Sequence, residues 1–334
     1  MGWHWRNNKI KCLPGICIYS SNPLEIYSIY LTLSRYFEGK TLKYLIKLQK
    51  KRKKITCNYL TQEGISYHPD FDKRIVSFQD MRKERRFQYD INGHGTHVAG
   101  IIGGSGKLSR GIYRGMAPFC NLIMVRVLDE KGDGEIDTVI QGIRWVHSNR
   151  KKYNIRIVNI SVGTLPHIGD REEERLIKEV EMLWDDGLVV VAAAGNYGPA
   201  WGSVTTPGIS KKIITVGASN DDERIEGNIN LRKHYSGRGP TSECVVKPDL
   251  LAPGSGVTSC NGRYERTGKA YTVKSGTSMA APVVSGAVAV LLSKYPSMSN
   301  VEVKLRLWQS CVDLGLEKNR QGCGLLQVKN LLEL

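Results

Sequence analysis

Apolar and polar positions along the chain fall into two alternating rhythms. His94–Ile102 and Ile136–Asn149 carry apolar residues at helical spacing, and Arg171–Trp184 is a charged stretch with one apolar stripe, so all three predict amphipathic helices. Between and after them, Leu122–Leu128, Arg156–Val162, Leu188–Ala194 and Lys212–Ala218 are short, nearly continuous runs of aliphatic residues. Strands of that kind are apolar on both faces, which fits a parallel sheet covered by helices on both sides. Val283–Leu292, a later run of small apolar residues, predicts a buried helix. The pattern therefore predicts an α/β fold of three layers, a mostly parallel sheet between two layers of helices. Functional groups in such sheets gather at the C-terminal ends of the strands, where loops meet helix N-termini.

Residues 1–56 do not share this rhythm. They hold 12 of the 48 Lys and Arg and 2 of the 32 Asp and Glu, a balance of +10 out of +16. Tyr27–Leu48 has Leu, Ile and Tyr at helical spacing and runs into Lys50-Lys51-Arg52-Lys53-Lys54. A run of that kind is a solvated face in the plain reading and a contact for nucleic acid or a membrane surface in the sharper one. The charge belongs to this segment, so no nucleic-acid partner is expected for the remainder. The expected division is a basic segment of unassigned role at 1–56 and a globular domain at 57–334. Ile16–Phe37 is interrupted by Ser, Asn, Pro, Glu and Arg, so no transmembrane segment is expected there. No stretch combines a basic start, an unbroken apolar core and a small-residue cleavage site. A cytoplasmic location is the expectation, with secretion still open if the N-terminus is not the authentic one. The eight cysteines include no C-x-x-C pair and are expected to be reduced thiols.

Chemistry concentrates in three places. Lys274–Pro282, read K-S-G-T-S-M-A-A-P, puts Ser278 at the start of the buried helix. There its hydroxyl stands beside unpaired backbone N–H groups and the positive end of the helix dipole, a setting that suits an alkoxide and an oxyanion. A Ser/Thr cap on a core helix is the plainer reading of those residues alone. A nucleophile needs a base, and Gly93-His94-Gly95-Thr96-His97 supplies His94 between two small neighbours. His94 and His97 on one helix face would also make half a metal site, but the Glu of an H-E-x-x-H motif is absent. Ala194-Gly195-Asn196 closes a strand, where Asn beside Gly commonly forms an Asx turn.

Taken together and in this order, these stretches resemble the subtilisin-like serine proteases, from about Gly64 to the C-terminus. The resemblance implies a subtilisin-like fold and a serine endopeptidase working through an acyl-enzyme, with Ser278 as nucleophile, His94 as base and Asn196 as oxyanion donor. It implies substrate-binding edges at Ser161-Val162-Gly163 and Gly132-Asp133-Gly134, which would take a protein or peptide as an added extended strand. Ser236–Pro240 and Lys247–Gly254 match family signatures and are expected to be scaffold turns. No cofactor and no metal are expected. Lys131 and Ile140 occupy positions where an EF-hand starting at Asp129 needs ligands, and Gly104–Met116 holds no carboxylate for a calcium loop.

One piece of the pattern is missing. The family places the triad Asp in an Asp-Ser/Thr-Gly turn shortly before a His-Pro-Asp; here His68-Pro69-Asp70 is present, but Gln62 stands where the Asp belongs and Glu63 where the Ser or Thr does. Thr56–Thr61 also makes a poor buried strand, with Asn58 where an aliphatic residue is expected. Neither Asp70 nor Asp90 has a claim to the role from the motif. Three accounts compete: an impaired protease, an inactive pseudoprotease that binds extended peptides, or an N-terminal sequence that is not authentic. A shifted reading frame across Leu60–Glu63 can encode Asp-Thr-Gly. On the first account Gln62→Asp alone would not be a full repair, for want of a proper strand to hold the carboxylate.

Overall fold

A computed structural model describes residues 56–61, 64–82, 88–129, 132–166, 171–221 and 233–333. The Tyr27–Leu48 helices, the basic run and Gln62 and Glu63 lie outside the described residues. The strands of the main sheet are β1 (Thr56–Thr61), β2 (Ile75–Asp80), β3 (Asn121–Arg126), β4 (Ile155–Ile160), β5 (Val189–Ala193), β6 (Ile214–Ala218), β7 (Leu250–Ala252), β10 (Cys311–Val312) and β11 (Leu325–Leu326). Their order is β10-β11-β7-β6-β5-β4-β1-β3-β2, with only the β10–β11 pair antiparallel. A separate antiparallel pair joins β8 (Val257–Cys260) to β9 (Tyr271–Lys274).

The longer helices are α1 (His94–Gly103), α2 (Ile136–Tyr153), α3 (Arg171–Asp185), α5 (Thr277–Lys294) and α6 (Asn300–Gln309), with the short α4 (Tyr264–Thr267) before β9. They pair off as the two outer layers: α1 packs on α5, α2 packs on α3, and α2 and α5 both reach β1 and β4. Every residue of β5 and β6 is buried, as strands covered on both faces must be. The core runs through Val189–Ala193 and Ile214 into Val284, Val288 and Leu291 of α5, all with at most 5% exposure. Burying each such Val or Leu contributes about 1.5–3 kcal/mol. By length and composition α5 is apolar enough to cross a membrane, but most of it is buried inside the fold as the central core helix.

Thr56–Thr61 departs from the expectation. It is a central strand, paired in parallel with β3 on one side and β4 on the other, with Asn58 opposite Ile123 and Val158. The two flanking strands are largely aliphatic and buried at all but one residue each, and their backbone ladders take in a middle strand whose own residues have modest propensity. This placement matters for the site. From β1 the chain passes to β2 and β3 on one flank and then crosses to β4 on the other, so the topology switches direction at β1, and ligand crevices form outside the strand ends at such a point. The chain leaves β1 with Leu60 level with Ile160, the residue before Ser161. Gly64 then takes φ +97°, and a Cβ there would lie 2.1 Å from Tyr89 O, so only glycine fits that turn.

Candidate active site

Ser278 is the second residue of α5, whose first turn leaves its N–H groups without helical partners. Its Oγ donates to Ser161 O at 3.2 Å, and Ser161 Oγ donates back to Ser278 O at 3.4 Å. A buried polar chain holds this seam together: Asn159 Nδ2 donates to Ser161 Oγ at 2.9 Å, and Ser285 Oγ donates to Asn159 Oδ1 at 2.8 Å. The run Arg156–Val162 predicts an aliphatic strand without singling out Asn159; a lone buried amide in Ile155–Ile160 is the signal that the strand is bonded to the helix beneath it.

Asn196 follows β5 on the other side of Ser278. Its Oδ1 accepts from Thr277 N at 2.9 Å and Thr277 Oγ1 at 3.1 Å, while Thr277 Oγ1 accepts from Gly195 N at 3.0 Å. With the carbonyl so committed, Nδ2 donates to nothing among the described residues and stands on an exposed side chain beside Gly276. Gly276 has φ +146°, a value that L side chains rarely adopt. Thr277 thus sets the amide's orientation.

His94 opens α1, and Asp90 fixes that helix end. The buried Asp90 carboxylate accepts from Gly93 N (2.7 Å), Thr96 N (2.7 Å) and Thr96 Oγ1 (2.6 Å). Burial raises its pKa, against those hydrogen bonds. The His94 ring makes no hydrogen bond among the described residues, and its Nδ1 is buried without a partner. Burial, aided by the charge of Lys274 just before the Ser278 loop, lowers its pKa to about 3, so the imidazole is neutral at ordinary pH. His97 packs inside as expected, with Nε2 near Val257 O (3.0 Å) and Thr272 O (3.2 Å), turned to the β8–β9 pair instead of a metal.

Both other carboxylates considered for the triad are occupied elsewhere. Asp90 is the helix cap just described. Asp70 accepts from Gly106 N (3.0 Å), Leu108 N (3.2 Å) and Tyr271 hydroxyl (2.8 Å), so it ties down the carboxylate-free Gly104–Met116 loop. Asp70, His68 and Cys260 come close enough together to suggest a metal site. The donor set does not fit one. His68 Nδ1 accepts from Asp70 N at 3.2 Å, and Nε2 is engaged with Ala270 O at 2.7 Å, so neither ring nitrogen is left for an ion.

The two expected substrate edges differ. Gly163 and Gly134 are exposed and make no backbone hydrogen bond among the described residues, which leaves their N–H and C=O groups open. Gly132, by contrast, is a turn residue at φ +91° whose N–H donates to Asp129 O at 3.2 Å. Asp129 Oδ1 accepts from Asp133 N at 2.9 Å, so this loop is closed by its own bonds. Lys247 and Asp249, in the second scaffold turn, form a buried pair at 2.6 Å that also reaches Ile213 O and Thr215 Oγ1 in and beside β6. Cys120, Cys244, Cys260, Cys311 and Cys323 are free thiols.

Comparison with known proteins accounts for this arrangement. The subtilase family model matches residues 60–324. Serine protease AprX of Bacillus subtilis is 39% identical over 254 residues, 72% of this chain and 58% of AprX. Subtilisin DY of Bacillus licheniformis is 34% identical over 261 residues, 77% of this chain and 84% of that protein. The chain therefore spans little more than half the length of AprX. A crystal structure of a cold-adapted subtilisin-like serine proteinase superposes with a TM-score of 0.64 at 29% identity, covering 82% of this chain and 88% of the other. With the match reaching from β1 to the loop before β11, and with the sheet order and strand-end loops to go with it, the chain belongs to the subtilase family.

Proposed function

We propose that this protein is a serine endopeptidase that cleaves protein or peptide chains through an acyl-enzyme on Ser278. The observation that carries this reading is the clamp of Thr277 on Asn196 Oδ1, which leaves an unpaired amide donor next to a helix-terminal serine. Ser278 Oγ leaves Ser161 O and adds to the scissile carbonyl carbon while His94 takes its proton. The carbonyl oxygen gathers charge between Asn196 Nδ2 and the Ser278 N–H. Collapse of the tetrahedral species releases the amine, to which His94 returns the proton, and water repeats the sequence to free the acid. The substrate backbone lies as an extended strand against Gly163 on one side and Gly134 on the other.

On this reading the site works below its full capacity, because Gln62 stands at the position of the triad Asp and His94 Nδ1 has no carboxylate partner among the described residues. In subtilisin, a member of this family, loss of the acid alone costs about 3 × 10⁴ in kcat, roughly 6 kcal/mol of barrier. A second reading, a silent peptide-binding protein using the same groove, is favoured by the unpartnered, neutral His94. Hydrolysis of a mixed peptide library by the full chain separates them. Slow cleavage that disappears in Ser278→Ala and falls at least about a hundredfold in His94→Ala supports the peptidase. Binding without any Ser278-dependent cleavage supports the silent groove.

A further inference from the structure

Two segments carry nearly all the net charge of residues 57–334. Residues 104–116 hold Lys107, Arg110 and Arg114 and no carboxylate, and residues 261–270 hold Arg263, Arg266 and Lys269 against Glu265. Six cations against one acid make +5, where the whole of 57–334 has 36 against 30, or +6. The fold makes these two segments neighbours. Gly106 N and Leu108 N donate to Asp70, which also accepts from the hydroxyl of Tyr271, the residue after the second segment. The Tyr113 and Tyr271 rings lie 4.7 Å apart. Arg110, Arg266 and Lys269 are exposed and enter no ion pair among the described residues, and Lys107 meets only the exposed Asp72, at 3.6 Å. Two aliphatic side chains stand among these cations, Leu108 at 40% exposure and Ile112 at 42%.

We propose that these two segments dock the protein on an anionic phospholipid surface, with Leu108 and Ile112 entering the headgroup region and the cations held against lipid phosphates and carboxylates. The interleaving of the two kinds of residue favours a bilayer over other anions. A nucleic-acid backbone or an acidic peptide would pair with the cations and leave the aliphatic chains against charge, whereas a bilayer interface takes both at one depth. Asp70 already fixes the 104–116 loop, so docking orders little and costs little conformational entropy. The second segment also borders the start of the His94 helix. Arg263 Nε donates to Ile91 O at 3.1 Å, and a Cβ at Gly262 would lie 2.6 Å from Gly93 Cα. A docked molecule therefore holds that helix start beside the lipid. Binding needs no turnover, so the inference stands apart from the peptidase reading.

The test is hydrogen exchange of the full chain with vesicles of phosphatidylcholine alone or mixed with phosphatidylserine. Amides of 104–116 and 261–270 should exchange more slowly on the mixed vesicles only. Cosedimentation then uses full chains bearing Lys50→Gln, Lys51→Gln, Arg52→Gln, Lys53→Gln and Lys54→Gln, so that the basic run cannot dominate binding. In that background Arg110→Gln with Arg266→Gln and Lys269→Gln should weaken binding about a hundredfold, at about fivefold per cation near an anionic surface. Leu108→Ser with Ile112→Ser should weaken it at least about tenfold. Amides of both segments that exchange alike with and without mixed vesicles, equal protection on neutral vesicles, or binding unmoved by these variants would overturn the proposal. So would equal protection by a mixed-sequence DNA duplex that Leu108→Ser with Ile112→Ser leaves intact, since the partner would then be a phosphate backbone.

Discussion

At the scale of single residues, the proposed activity depends most on His94. Its Nδ1 is buried without a hydrogen-bond partner among the described residues, and burial with the nearby Lys274 charge lowers its pKa to about 3 from an ordinary 6.5. The neutral form is the one that accepts a proton, so loss of activity on the acid side should lie well below pH 6.5 and not near neutrality. A carboxylate beside Nδ1 favours the imidazolium and so raises the pKa. Gln62→Asp should therefore do two things: raise kcat/KM by a factor of ten or more, and move the acid limb of the pH profile upward. The structure supplies the strand that the composition of Thr56–Thr61 did not promise, since β1 is paired on both sides up to Leu60 and with β3 up to Thr61. A rate gain with no movement of the limb would show that the new carboxylate acts elsewhere. No change in either would show that position 62 does not serve the histidine.

At the scale of elements, Ser278 and His94 stand at helix starts, and Gly163 follows the end of a strand. Asp90 accepts three hydrogen bonds from the first turn of α1 and the residue before it. Asp90→Ala would leave those buried donors unpaired, at about 1–3 kcal/mol each. The expected outcome is a melting temperature lower by several degrees, with kcat falling more than KM rises because His94 loses its orientation. An unchanged melting temperature would mean the cap contributes little. The sequence already showed α1, α2 and α3, because their apolar residues recur at helical spacing, and α5, because Val283–Leu292 is an unbroken run of small and apolar residues. It also showed the glycine-flanked His94 and the helix-start Ser278, whose residue types are constrained by chemistry as well as by packing. What it hid has physical causes too. β1 is made a strand by its two neighbours, and Asp90, Thr277 and Asn159 act through bonds to residues distant in sequence or through backbone N–H groups, which leave no periodic trace.

For the whole molecule, the fold brings Ser278, Ser161, Asn196 and Thr277 into one bonded group at the switch point of the sheet, and aligns α1 against α5. Around that group the sheet is pinned by buried ties, Asp70 under the Gly104–Met116 loop and the Lys247–Asp249 pair under β6. On the proposed reading this frame carries an activated serine, although His94 Nδ1 has no carboxylate partner among the described residues. Reaction with a fluorophosphonate probe, mapped by mass spectrometry on the full chain, tests that claim directly, because only an activated hydroxyl is phosphonylated. The expected result is slow labelling confined to Ser278, absent in Ser278→Ala and strongly reduced in His94→Ala. A chain that stays unlabelled under conditions where an active subtilisin reacts fully, or one labelled equally well in His94→Ala, would contradict it.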